Sequence, residues 1–165
     1  MVKTAMGGLV VSTPSDREIV MTRRFDASRE LVFAAFTDPK LIQRWLLGPP
    51  GWSMPVCELD LRVGGTYHYE WRNDAGDKSF GVHGTFREIV RPVRIVHSEN
   101  FDEPWYPGDA TVTTAFDESQ GTTLLTMTIL YDSKEIRDGA IESGMTTGVE
   151  ASFDRLAAIM AEGAS

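Results

Sequence analysis

Glu99 follows His97 by two residues, within a stretch from 93 to 101 that reads as a β-strand. Both side chains therefore fall on the face shared by Ile95 and Phe101. An imidazole beside a carboxyl on one wall of a pocket could move a proton to or from a bound substrate. The alternative, which is preferred, is a satisfied polar pair at the rim. His68, His83 and His97 lie on separate predicted strands without H-x-H, H-E-x-x-H or Cys/His spacing, so no metal site and no cofactor are expected. Nucleophilic chemistry has no support either. There is no G-x-S-x-G turn, and the lone Cys57 has no base nearby in sequence; it excludes an internal disulfide and reads as a small buried apolar residue.

The strongest local pattern is aromatic. After Gly64-Gly65, which reads as a sheet bend rather than a phosphate cradle, Tyr67, Tyr69 and Trp71 occupy every second position, so a strand points three rings to one side. Their polar tips need partners when buried, which fits a partly hollow interior; an ordinary hairpin with an aromatic core face is the other reading. Met127 and Met145 either fill core gaps or lend a cavity adaptability. Trp105-Tyr106-Pro107-Gly108, between two strands, is either a lid over a cavity mouth or a packed turn. Asp60 and Arg62 alternate with Leu59, Leu61 and Val63 and are expected as an exposed pair on the outer sheet face.

These groups need a scaffold. The 165 residues, 42% hydrophobic and 24% charged, suit one soluble domain, expected at 16–165 after a flexible tail at 1–15. A net charge of −8 without a Lys/Arg cluster argues against nucleic-acid or anionic-membrane partners. With no secretory or membrane-spanning segment, the chain reads as cytoplasmic. Arg17–Phe25 reads as a first strand, with Ile19, Met21 and Arg23 on one side. Ser28 caps a helix with the face Val32, Ala35 and Phe36, and Asp38-Pro39 starts a second short helix ending near Trp45. Six β-like segments follow, at about 56–63, 66–72, 80–90, 93–101, 110–117 and 122–131, with hairpin spacing. Asp132 and Glu135 form a capping box before a long helix whose apolar stripe is Met145, Val149, Phe153, Leu156 and Met160. The order predicts an α+β fold in which one curved antiparallel sheet covers that helix.

Several short motifs sit in this order: Phe25-Asp26-Ala27; Val32-Phe33-x-Ala35-x-Thr37-x-Pro39-x-Leu41; Trp45; Asp60-x-Arg62-x-Gly64-Gly65; Gly84-x-Phe86-x-Glu88-Ile89; Thr123-x-Leu125; Arg137-Asp138; Gly144-Met145-x-x-Gly148; and Asp154-Arg155-Leu156. Together, from about Arg17 onward, they resemble the family of proteins similar to the C-terminal domain of the activator of Hsp90 ATPase, within the START and Bet v 1-like (SRPBCC) superfamily. The resemblance implies a helix-grip fold with a deep hydrophobic cavity between sheet and C-terminal helix. It leaves the chemistry open, because the superfamily includes lipid carriers, hormone receptors, aromatase/cyclases and self-sacrificing resistance proteins. The co-chaperone that gives the family its name has an additional N-terminal domain for which this chain has no room, so a chaperone partner is disfavoured.

The expected function is binding of a hydrophobic, ring-containing small molecule for carriage, sensing or sequestration, without a catalytic constellation. An aromatase/cyclase- or isomerase-like enzyme using His97 and Glu99 is the first alternative, and a chaperone-interacting protein the second. The expected ligand residues are Trp45, Tyr67, Tyr69, Trp71, Phe101, Trp105, Tyr106, Met127, Met145, Val149 and Phe153. A homodimer is left open.

Overall fold

In the computed structural model, which describes residues 8–163, eight strands form one antiparallel sheet. In chain order the elements are β1 (Val10–Ser12), β2 (Glu18–Phe25), α1 (Arg29–Thr37), α2 (Pro39–Trp45), β3 (Trp52–Leu59), β4 (Thr66–Asn73), β5 (Ser79–Val90), β6 (Arg94–Phe101), β7 (Ala110–Ser119), β8 (Thr122–Leu130), α3 (Lys134–Glu142) and α4 (Met145–Gly163). Their order across the sheet is β1-β2-β8-β7-β6-β5-β4-β3. Every neighbouring pair is antiparallel. The chain thus runs out along β2, crosses to the far edge through α1 and α2, and returns strand by strand, which leaves α4 to lie against the concave face. This is the helix-grip arrangement.

Local chemistry sets the boundaries. The Ser28 hydroxyl accepts from the Leu31 amide at 3.3 Å and the Asp38 carboxylate from the Lys40 amide at 3.0 Å, while Pro39 takes the first helical position, where no amide proton is required. At Gly65 a Cβ would lie 2.1 Å from the Asp60 carbonyl, so only glycine permits the bend into β4. The expected single long helix is instead two. Gly144, at φ +84°, turns the chain between α3 and α4 in the left-handed conformation that ends helices. The cap of α3 is Ser133, whose hydroxyl accepts from the Ile136 amide at 3.2 Å, one residue beyond the expected Asp132.

Three further expectations are corrected. Val10–Ser12 pairs with β2, Leu9 is buried, and buried Arg137 donates to the Ser15 carbonyl at 2.7 Å, so residues 9–15 belong to the fold because sheet edge and α3 both hold them. The rest of the expected tail, 1–7, lies outside the described residues. The third strand spans 52–59 rather than 56–63, and the turn after it holds Asp60 and Arg62, joined by an exposed ion pair at 2.8 Å.

The core lies between the β2, β8 and β7 end of the sheet and the three helices that cover it. Phe153 on α4 meets Phe25 edge-on at 5.7 Å, Phe36 at 6.3 Å and the tilted Trp45 ring at 5.9 Å. The Trp45 indole N–H donates to the Ala35 carbonyl at 2.9 Å, so a large ring is buried with its one polar atom satisfied. Arg23, expected inward on β2, is indeed buried and reaches out from beneath α4 to pair with Asp154.

Candidate functional site

Toward the β4 and β5 end the same concave face is not filled. A cavity of about 480 Å³ lies between the sheet and α4, within the roughly 300–1,000 Å³ range of small-molecule sites. Its walls follow from strand alternation. β4 contributes Tyr67, Tyr69 and Trp71, β5 Phe80, Val82 and Phe86, β6 Ile95, His97 and Glu99, β7 Val112 and Thr114, and β8 Met127 and Ile129. Met145, Val149, Ser152 and Phe153 of α4 close the opposite side.

The segment 46–49 after α2 forms one rim and is tied on both flanks. The Trp71 indole donates to the Leu46 carbonyl at 2.7 Å; on α4, Ser152 accepts from the Gly48 amide at 2.8 Å and Arg155 donates to the Gly48 carbonyl at 2.6 Å. Trp71 also stacks on Phe80, with centroids 4.8 Å apart and planes at 19°. These rings are held in place before any ligand arrives, which lowers the entropy cost of binding.

The polar groups converge on β6. The Ser98 carbonyl accepts from the Tyr67 hydroxyl at 2.7 Å and from His97 Nδ1 at 2.9 Å. A carbonyl only accepts, so Nδ1 carries the proton and Nε2 presents a lone pair. Burial moves the His97 pKa down, so the ring is neutral. Gly84 makes this approach possible, since a Cβ there would lie 2.0 Å from the Ser98 carbonyl oxygen and 2.7 Å from the Tyr67 ring. Glu99 has no hydrogen bond or ion pair with any described residue, and burial pushes its carboxyl up to about 7. The expected satisfied pair with His97 is therefore not formed: the imidazole is engaged by backbone, and the carboxyl lies buried among tyrosines without a hydrogen bond to a described residue. Burial, and secondly the charge of Glu99, also raise the hydroxyl pKa of Tyr67 and Tyr131; for Tyr69, Cys57 comes between those two causes.

Of the expected ligand residues, Trp45, Tyr67, Tyr69, Trp71, Met127, Met145, Val149 and Phe153 line this cavity together. Phe101, Trp105 and Tyr106 do not. Trp105 and Tyr106 meet edge-on at 4.4 Å, Tyr106 packs on Tyr131, and a Cβ at Gly139 of α3 would touch the Trp105 ring at 3.2 Å, so their loop is a turn packed on α3 and not a lid. Phe101 and Tyr106 instead border a second concavity of about 220 Å³ near His83 and Asp102. Sequence reasoning missed Trp52, Phe80, Val82 and Phe86. For the β5 residues the signal was present: Phe80, Val82, Gly84 and Phe86 fall on alternate positions.

On the outer sheet face His68 and His83 are cross-strand partners, and both bond to Asp102, at 2.7 and 2.6 Å. Among the described residues no three His, Cys, Asp or Glu side chains are arranged to hold a metal ion. The Cys57 thiol is pushed up to about 11, mainly by burial, and is a poor nucleophile at neutral pH.

Comparison with known proteins agrees with this architecture. The profile of the family described as Activator of Hsp90 ATPase homolog 1-like protein matches residues 26–161. The chain belongs to that family. A crystal structure of a Rhodobacter sphaeroides protein superposes with a TM-score of 0.87 at 30% identity, covering 94% of this chain and 99% of that one. The AHSA1-like protein from Aeromonas hydrophila gives 0.70 at 22% identity over 86% and 93% of the two chains. An Hsp90 activator from Plasmodium falciparum gives 0.64 at 23% identity over 88% and 96%. A search of the curated proteins finds no match. The fold is that of the SRPBCC superfamily, whose members generally bind hydrophobic ligands. Among the described residues no helix is long and apolar enough to cross a membrane.

Proposed function

We propose that this family member binds a hydrophobic, ring-containing small molecule in the cavity between sheet and α4, as a carrier, sensor or sequestering protein of the cytoplasm. The observation that carries the reading is the preformed aromatic wall of Tyr67, Tyr69, Trp71 and Phe80, left unfilled inside an otherwise packed domain. Natural interiors rarely leave such volume without use. Native mass spectrometry on protein purified from its own host tests this. A retained small molecule that dissociates on unfolding supports it, while uniformly ligand-free protein that also gains no thermal stability from a panel of bicyclic arenes sinks it.

A second reading, an aromatase/cyclase- or isomerase-like enzyme, draws on the His97 lone pair and the Glu99 carboxyl facing one cavity. Recovery of a bound substrate in chemically altered form would favour it. A chaperone-interacting role has only the name of a neighbour at 23% identity behind it.

A further inference from the structure

The cavity can carry charge of one sign only. Glu99 is the sole carboxylate among its lining residues, no lysine or arginine lines it, and His97 Nε2 adds a second acceptor on the same strand face. Residues two apart on a strand lie about 7 Å apart at Cα, so both acceptors can address one ligand head group. Around them stand π-faces: Tyr67 and Tyr69 with centroids 5.0 Å apart, and Trp71 edge-on to Tyr69 at 6.1 Å. Aromatic faces attract cations, as does the net charge of −8.

An anionic ligand finds no cation here, and a neutral hydrocarbon leaves the carboxyl unused. An ammonium supplies three donors and the missing positive charge. We infer that the cavity selects arylalkylamines, with the ring among Tyr67, Tyr69 and Trp71 and the ammonium on Glu99. This rests on the cavity-binding reading and names its ligand class. The raised Glu99 pKa adds a signature, because an amine that pairs with the carboxylate must drive off its proton below pH about 7. Facing Glu99 are His97 on its own strand, Tyr67 and Tyr69 from β4, Tyr106 from the loop before β7 and Tyr131 just after β8; none of them carries a compensating positive charge near neutrality.

The test is calorimetric titration at pH 6 with naphthylethylamine, naphthylethanol and naphthylacetate, in two buffers of different ionisation enthalpy. The amine should bind about tenfold or more tightly than the alcohol, as a charge-assisted hydrogen bond allows, and the acetate more weakly than either. Amine binding should release a proton that alcohol binding does not. In Glu99→Gln, whose folding is checked by its far-UV circular dichroism and cooperative thermal unfolding, the amine preference over the alcohol and the proton release should disappear. If the alcohol binds and the amine binds no tighter, or releases no proton, the amine inference is overturned and the cavity reading stands. If none of the three binds, the cavity reading itself fails and takes this inference with it.

Discussion

Glu99→Gln should abolish a pH dependence of stability that the native chain carries between pH 4.5, the ordinary value of a glutamate carboxyl, and about 7. In the unfolded chain Glu99 ionises at its ordinary value; in the folded chain burial delays ionisation to about 7. A carboxyl whose folded pKa is raised contributes its full stabilisation below the unfolded value and loses it as pH rises through the folded one. Between these limits the folded chain holds one more proton, so stability falls by about 1.4 kcal/mol per pH unit, or about 3 kcal/mol across the interval from 4.5 to about 7. The glutamine amide does not titrate, and any constant cost of placing it there cancels when stabilities are differenced across pH. Urea unfolding followed by far-UV circular dichroism at four pH values from 4.5 to 8 measures both chains. The variant should gain on wild type progressively, levelling off above about pH 7. Parallel profiles for the two proteins would show that Glu99 is solvated and would remove the electrostatic basis of the site.

Other outcomes follow from named contacts. Phe153→Ala, which strips a buried ring from three aromatic neighbours, should cost about 3–5 kcal/mol in chemical denaturation. Trp71→Ala, whose ring partly faces empty space, should cost about 1–3 kcal/mol yet weaken arene affinity several-fold; equal destabilisation with intact affinity would describe a solid core. Gly84→Ala drives a Cβ to 2.0 Å from the Ser98 carbonyl and should destabilise by more than about 2 kcal/mol while disturbing the His97 ring signal in NMR. The hydrogen bond that His68 donates to the Asp102 carboxylate raises the His68 pKa, so protonated His68 stabilises the fold at low pH and that contribution fades as pH rises through the raised value. Asp102→Asn should move the His68 imidazole titration, read by NMR, to lower pH, because the largest cause of its upward shift is removed. Chelator treatment should leave the melting temperature and arene binding unchanged, because no three described ligands converge on a metal position.

Most of the fold was legible because it is written in local patterns. Ser28, Asp38 and Pro39 announce two helices through backbone chemistry within three residues, and the parity of Tyr67, Tyr69 and Trp71 follows from the pleat alone. What stayed hidden depends on partners distant in sequence. Val10–Ser12 resembles a tail until β2 offers it an edge, and Trp105 resembles a lid until Gly139 of α3 lies beneath it. His68 and His83, fifteen positions apart by their numbers, meet because the β4–β5 register sets them opposite one another, and Asp102 at the end of β6 joins them. The Glu99 and His97 pairing failed for a different reason: shared strand parity brings both groups to one wall, but the imidazole Nδ1–H donates its hydrogen bond to the Ser98 carbonyl between them.

The methionine methyl groups offer the most direct test of an occupied cavity. Met127 and Met145 line it, whereas Met54 and Met160 are buried outside its wall. In a carbon-13 methyl NMR titration with naphthylethanol, the ring current of a bound arene should move the Met127 and Met145 signals saturably and leave Met54 and Met160 in place. Absence of any saturable shift, or shifts confined to Met54 and Met160, would contradict binding between the sheet and α4.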